Sequence, residues 1–276
     1  MSDSQSVEVP QTLEGWYTLH DVYHVDWPRW RALDATQRES VAKEAAGWLE
    51  QMAATEKGDS ALYSVVSQKG DLMFVHYRES PEALNAVELS LRQTRFYEYL
   101  RPSYSYVAII ELGMYELTAM ARKKLADQGI TPGSEAYEQF FETEMEKQKQ
   151  RVQTRLFRKV PDGRYICFYP MNKRRGEKVN WYTLSIEERR DMMRGHGRIG
   201  HKYHETVTQV IGGSIGLDDW EWGVSLHAND ALVFKKLIYE MRFDPASALF
   251  AEFGPFYLGI RRDANQLADL LNGRIA

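Results

Sequence analysis

The side chains best suited to chemistry lie in the second half of the chain. Of seven histidines, three cluster as His196, His201 and His204. Positions 201 and 204 can share a helix face, but 196 cannot easily join them, and no H-E-x-x-H pattern supports a zinc hydrolase. His196 stands apart because Gly195 and Gly197 flank it. Such glycines let a bulky group approach the backbone, and a single axial histidine is what a haem iron requires. The competing reading is a helix C-terminus that the glycines merely stop. A basic run, Lys173, Arg174 and Arg175 with Lys178, follows the strand-like Arg164–Tyr169. At the rim of a pocket it would recognise carboxylates or phosphates through charge-assisted bonds; otherwise it is a solvated loop. Gln209 sits in the apolar stretch V-T-Q-V-I-G-G-S, on the period-2 face of Val207 and Ile211. That parity points it inward, where it either lines a pocket or is satisfied by backbone groups.

These residues are carried by a weak internal duplication. Trp30–Arg38 reads W-x-x-L-D-x-x-Q-R, and Trp181–Arg189 reads W-x-x-L-S-x-x-E-R. In each, Asp34 or Ser185 can cap a helix while Gln37 or Glu188 reaches back. A strand precedes each copy, at Gly15–Leu19 and Arg164–Tyr169. A helix and an alternating strand pair follow: Ala61–Gln68 with Asp71–Arg78, and Val207–Gly216 with Trp220–His227. Another helix (Pro81–Glu98 or Asn229–Arg242) and a closing strand (Tyr106–Leu112 or Gly254–Arg261) complete each unit. The order β-α-β-β-α-β, twice, predicts an α+β fold of tandem ferredoxin-like halves packed into one barrel-like core. The expected organisation is a mobile tail over 1–12, a first half over 13–113 and a helical connector over 114–154. A second half over 155–262 and a C-terminal helix over 263–276 follow. Within the connector, Ser134–Arg155 reads as a long amphipathic helix after a Pro132-Gly133 break. The basic run and the His196 segment have no counterpart in the first half, which predicts one site per chain, built mainly from the second.

Composition narrows the classes. The chain has 276 residues with 43% hydrophobic and 27% charged, which excludes a wholly disordered or fibrous chain. With 35 basic against 39 acidic residues there is no global basic footprint, so no nucleic-acid partner is expected. The lone Cys167 excludes an internal disulfide framework and a cysteine-rich zinc site. The polar N-terminus lacks a signal-peptide core, and no stretch approaches the roughly 18 apolar residues of a membrane helix. A cytoplasmic location without a membrane span is the expectation. Aromatics make up 12% of the residues, a density that suits packed sheets and also a flat ligand or redox chemistry.

Taken together, Y-P-M-N-K-R-R, N-W-Y-T-L-S-I-E-E-R-R, H-G-R-I-G-H-K-Y and Q-V-I-G-G-S-I-G-L-D-D-W-E-W-G-V-S-L-H resemble the coproheme decarboxylases of the chlorite dismutase-like superfamily. The likeness runs from about residue 13 to 262 and includes the closing E-M-R-F-D-P-A-S-A-L-F-A-E-F-G-P-F-Y-L-G. It implies a dimeric α+β barrel, usually a homopentamer. The implied activity is peroxide-driven decarboxylation of two propionates of Fe-coproporphyrin III (coproheme) to vinyl groups, giving haem b. Coproheme is then both substrate and redox cofactor, and a transient contact with the coproporphyrin ferrochelatase is implied. On this resemblance His196 is the axial ligand and Tyr169 the tyrosine that becomes a radical. Pro170, Met171, Asn172 and Lys173 lie in the same substrate-contacting loop. Arg155, Gln209 and Ser247 contact the porphyrin or its propionates, and Tyr137, Trp181 and Trp222 are aromatics near the site. Chlorite dismutases proper carry arginine where this chain has Gln209, which favours the decarboxylase branch. The rival readings are a non-catalytic haem-binding or haem-transfer protein and a haem peroxidase or chlorite dismutase-like enzyme.

Overall fold

In the computed structural model, residues 9–274 are described. The first half runs from β1 (Thr12–Val25) through α1 (Trp27–Ala32) and α2 (Ala35–Ala53) to the hairpin strands β2 (Gly58–Val66) and β3 (Leu72–Arg78). It continues through α3 (Pro81–Arg92) to β4 (Leu100–Gly113). Two helices, α4 (Tyr115–Asp127) and α5 (Glu135–Leu156), lead to the second half. There β5 (Tyr165–Lys173) is followed by α6 (Ile186–Lys202), β6 (Thr208–Gly213), β7 (Trp222–Ala228) and α7 (Leu232–Met241). The chain then forms α8 (Pro245–Ala248), β8 (Ala251–Phe253), β9 (Tyr257–Arg262) and α9 (Leu267–Leu271).

The duplicated helix starts form as their residue types dictate. Asp34 accepts from the Gln37 amide while Gln37 returns to the Asp34 amide, and Ser185 and Glu188 make the same reciprocal box 151 positions later. Strand pairing repeats as well. The first half has the antiparallel order β4-β1-β3-β2, and the second has β9-β5-β7-β6. Each is the ferredoxin-like order. The seams β2–β9 and β4–β6 join the halves, so these strands close into a barrel, with β8 paired along the end of β5. The β4–β6 seam is short, two residue pairs at Ile109 and Ile110, so most of β4 pairs with β1 alone.

Alternation along the strands then divides the aromatic residues between two environments. Tyr63, Tyr77, Tyr106 and Phe168 fill the barrel. His20 stacks on Phe168 there at 4.1 Å and its Nε2 meets Ser225 Oγ at 2.8 Å. Burial pushes the His20 imidazole down to about 3, so it is neutral at physiological pH. Outside, Leu62 and Phe74 pack under α2, while Tyr169, Val224 and Leu226 form the floor beneath α7. The same tryptophan-aromatic corner appears twice, as Trp30 on Tyr99 at 5.6 Å and Trp181 on Phe250 at 5.4 Å.

Several boundaries differ from the sequence reading. The strand expected over Gly15–Leu19 extends over Thr12–Val25. The helix expected over Pro81–Glu98 stops at Arg92, where Thr94 Oγ1 donates to the Leu91 carbonyl at 2.7 Å, and Arg95–Tyr99 tightens into a 3-10 turn. The closing strand expected over Gly254–Arg261 begins only at Tyr257, and a separate short strand, β8, precedes Gly254-Pro255, since proline cannot donate to a ladder. The connector helices are largely exposed and pack at a few positions. Ala121, Leu125 and Phe141 bury a small cluster, and Glu116 binds Arg194 of α6 at 2.8 Å. Residues 9–12, expected to be part of a mobile tail, are held by a Gln11 amide bond to Thr118 Oγ1 at 3.1 Å. Residues 1–8 of that tail, and 275–276 of the expected C-terminal helix, lie outside the described residues.

Beneath α3, Asp21 is 4% exposed, and burial followed by the Glu88 carboxylate raises its carboxyl to about 7. A carboxyl that is harder to ionise when folded makes stability fall as pH rises from its unfolded value near 3.8 towards 7. Asp21→Asn is therefore expected to raise the thermal midpoint at pH 8 and change it little at pH 4. Scans of wild type and variant at both pH values measure this, and equal shifts at the two would refute it.

Candidate functional site

The centre of the site is His196, on α6, with a side chain 28% exposed. Its Nδ1 lies 2.7 Å from Asp244 Oδ2 and 3.5 Å from Ser247 Oγ. Asp244 caps the short helix α8, its side chain accepting from the Ala246 and Ser247 amides. Burial pushes the Asp244 carboxyl up, but the hydrogen bond and charge of His196, with the Ala246 amide and the Ser247 side chain, outweigh it and hold the group below the usual carboxylate range. An ionised Asp244 takes the Nδ1 proton as its hydrogen-bond donor, which leaves the lone pair on Nε2. A backbone-anchored carboxylate thus fixes both the tautomer and the ring orientation of a single potential metal ligand.

The glycines beside His196 neither stop the helix nor press against backbone. Both lie inside α6, and beyond their chain neighbours and the helix's own backbone no atom comes within 4 Å of where a Cβ would sit at Gly195 or Gly197. Open space flanks the imidazole. One turn further along the His196 face, a Cβ at Gly200 would meet Gln209 Nε2 at 3.2 Å and Met241 Cε at 3.6 Å. Gln209 is half-buried and faces the α6 and α7 layer, while its parity partner Ile211 is 40% exposed, so this strand face is inward only at its start.

The β5 wall carries the phenol. Tyr169 is buried, stacked on Phe256 at 4.5 Å and tilted against Phe253 at 5.7 Å. Burial raises its phenol well above the ordinary range, so it keeps its proton. Tyr169 and half-buried Met171 share one apolar cluster with Ile199 of α6 and Met241 of α7. The Pro170 carbonyl accepts the Gly254 amide at 2.9 Å, and Asn172 Oδ1 accepts the Glu221 amide at 2.8 Å, so both hold the strand end in shape.

Lys173 corrects the expectation of a rim cation. It is 8% exposed, its Nζ donates to the Ala246 carbonyl at 2.9 Å, and it lies over the Trp181 ring at 4.3 Å. The reason is strand parity: Lys173 and Tyr169 point to the same covered side of β5, where α8 lies. Burial lowers its ammonium to about 8, against the pull of Asp244 and Glu221. Arg174 and Arg175 remain outside, near Glu252 at 3.6 Å and Glu221 at 3.5 Å. Trp181 is fully buried behind this wall, and half-buried Trp222 donates through Nε1 to Glu111 at 3.3 Å. Arg155 is exposed in the last turn of α5. Tyr137 packs on Phe141 at 4.9 Å in the α4–α5 cluster, not among the residues around His196.

Two participants escaped the sequence reading. Asp244 was visible only as the start of D-P-A-S, a helix-cap pattern. Arg242 lies at 3.8 Å over the Phe253 ring, and its charge acts on Tyr169. The Phe253 ring that it covers is one that Tyr169 packs against.

The first half does not repeat this arrangement at the equivalent positions. The counterpart of His196 is Ala45, 1% exposed, and buried Trp48 fills the equivalent groove. Among the described residues no three histidine, cysteine, aspartate or glutamate side chains come together to hold a metal.

The family model described as chlorite dismutase matches residues 38–262. A solved haem-binding protein from Thermus thermophilus is similar over 97% of this chain and 99% of its own, with 38% identity and a TM-score of 0.83. A variant chlorite dismutase from Candidatus Nitrospira defluvii aligns over 94% of this chain and 95% of its own, with 19% identity and a TM-score of 0.70. The imidazole complex of chlorite dismutase from that organism covers the same shares at 18% identity and a TM-score of 0.70. The last two share the barrel fold. With 225 of its 276 residues matched by the family model, this chain belongs to the chlorite dismutase family.

Proposed function

We propose that this protein binds Fe-coproporphyrin III through His196 and, with hydrogen peroxide, converts two of its propionates to vinyl groups, releasing haem b. The observation that carries the reading is the Asp244-anchored imidazole, with open space at the flanking glycines and a buried phenol on the adjoining wall. The description of the 38% identical neighbour as haem-binding supports the cofactor class. The bound iron porphyrin supplies the oxidising chemistry with peroxide. The chain's own residues bind, orient and hold protons. Asp244 keeps the Nε2 lone pair of His196 directed outward. Tyr169 retains an O–H that can yield its hydrogen to an oxidant. Gln209 offers a neutral amide, and Arg242 and Arg155 offer guanidinium forks to carboxylates. Lys173 positions α8, and with it Asp244 and Ser247, rather than meeting a propionate itself. A cytoplasmic homopentamer that receives coproheme from the ferrochelatase completes the proposal.

The neighbour's description equally favours a haem-binding protein without catalysis. Titrating peroxide into the coproheme complex, with porphyrins followed by mass spectrometry, separates the two. Stepwise loss of CO2 and two hydrogens from each of two propionates, with one peroxide reduced to two waters per step, supports the decarboxylase, whereas unchanged coproheme identifies a carrier. Chlorite should be a poor substrate, because Gln209 lacks the fixed charge that arginine offers an anionic oxidant. Rapid oxygen release from chlorite would place the chain with the chlorite-decomposing enzymes instead.

Asp244→Asn keeps the shape but removes the charge behind His196. Iron-porphyrin retention is expected to fall by about 10- to 100-fold, the usual effect of losing an outer-shell partner. The Fe(III)/Fe(II) midpoint should rise, since a less anionic ligand stabilises the ferric state less. Spectroelectrochemistry and porphyrin-transfer assays measure both, and no change in either would remove Asp244 from this role.

A further inference from the structure

The duplication sets α6 against α2 residue by residue, and the two helices are held by different means. Val41, Ala42, Ala45, Trp48 and Leu49 of α2 are buried in the first-half core. Their counterparts on α6, Met192, Met193, His196, Ile199 and Gly200, are all only half-buried. The residues that α6 does bury, Ile186 and Arg189, lie near its start. That first part is fixed at several points. Its capping box closes at Ser185, Arg194 binds Glu116 of α4 at 2.8 Å, and His196 binds Asp244 at 2.7 Å. Beyond Gly197 the contacts change in kind. Ile199 rests on the apolar floor, and a Cβ at Gly200 would meet the Gln209 amide at 3.2 Å. The end of the helix is tied down by Glu240 of α7, which takes the Lys202 ammonium and, at 3.1 Å, the Tyr203 hydroxyl. Lys202 is exposed, so water competes for that pair. Gly197 and Gly200 weaken the same segment, because glycine inside a helix gives up more backbone freedom than any other residue.

We propose that residues 198–203 form a lid latched by Glu240. The lid swings about Gly197 while His196 stays on Asp244, and it uncovers the space between the imidazole and the Tyr169 wall. Nothing buttresses the bend, since no atom beyond the chain neighbours and the helix's own backbone lies within 4 Å of a Cβ at Gly197. With Gly200 seated against Gln209 and Met241, a flat macrocycle enters beneath this turn only when the turn lifts. What enters rests on the porphyrin reading, whereas the opening is a property of the chain alone.

Amide hydrogen exchange of the full chain without porphyrin measures the opening. Amides 199–202 are expected to exchange about tenfold faster, or more, than 48–51, their counterparts in α2. Burial of one leucine, present at Leu49 and absent at Gly200, is worth at least that factor. Gly197→Ala adds a Cβ that meets nothing and should slow exchange over 199–202 by about two- to fivefold. Gly47→Ala, equally unobstructed but in α2, should leave that exchange unchanged. Glu240→Ala should speed it by up to about fivefold and raise the coproheme association rate by the same factor. This variant also serves if Gly197→Ala fails to fold. Equal protection of the two helix ends in the wild type, or exchange indifferent to both Gly197→Ala and Glu240→Ala, would overturn the lid. Faster exchange in Glu240→Ala with an unaltered association rate would overturn its role in entry. Failure of coproheme to bind at all, with the exchange pattern as expected, would count against the porphyrin reading and still support the lid.

Discussion

Tyr169→Phe is expected to fold, to bind coproheme and to make no haem b. The substitution removes only the phenolic oxygen. The ring keeps its stack on Phe256 at 4.5 Å and its contact with Phe253 at 5.7 Å, so the wall of the site retains its shape. Burial already keeps the Tyr169 phenol protonated, so the change removes no charge from the site. What disappears is the only hydrogen that this side chain can surrender to an oxidant. Phenylalanine has no comparable O–H bond. The variant should consume peroxide and bleach the porphyrin without forming the mono-decarboxylated intermediate. Mass spectrometry after stepwise peroxide addition reads this directly. Conversion close to the wild-type rate would move the reactive group elsewhere, with Tyr137, Trp181 and Trp222 next to be tested. Their positions rank them. Trp181 is buried behind Lys173, Trp222 is bonded to Glu111, and Tyr137 lies in the α4–α5 cluster.

His196→Ala is expected to lose the axial bond and shift the Soret band of bound coproheme. Removing the ligand itself should weaken binding by at least the roughly 10- to 100-fold typical of losing an outer-shell partner. The fold should survive, because His196 is part-exposed and alanine favours the helix interior. Asp244 would lose its imidazole partner but keep the Ala246 and Ser247 amides, which still hold α8. Exogenous imidazole should restore part of the native spectrum by entering the vacated position. An unaltered spectrum and affinity in His196→Ala would show that the iron is held elsewhere. Measured beside Tyr169→Phe, the pair separates binding from chemistry: one variant loses the ligand and the other loses only the product.

The two halves illustrate how far local information reaches. The capping boxes at Asp34 and Ser185 form as written, because a cap is decided within four residues. The strand pairs of each half were legible from alternation, and the doubled β-α-β-β-α-β order implied the repeated sheet that the pairing displays. The candidate ligand was legible too, since His196 and its glycines have no counterpart in the first half. Three features were decided only by tertiary structure. The His196–Asp244 bond joins residues 48 positions apart, and it arises because α8 folds back against α6. Lys173, read as part of a basic run at the rim of a pocket, is buried because its strand parity sends it under α8 while Arg174 stays outside. Closure of the barrel depends on the β2–β9 and β4–β6 seams between halves, which no local pattern encodes. The sequence by itself determined the elements, their order and the residue types available for chemistry, because these depend on neighbours along the chain. Which of those residues meet, and which of them water reaches, was decided by packing between segments far apart in sequence.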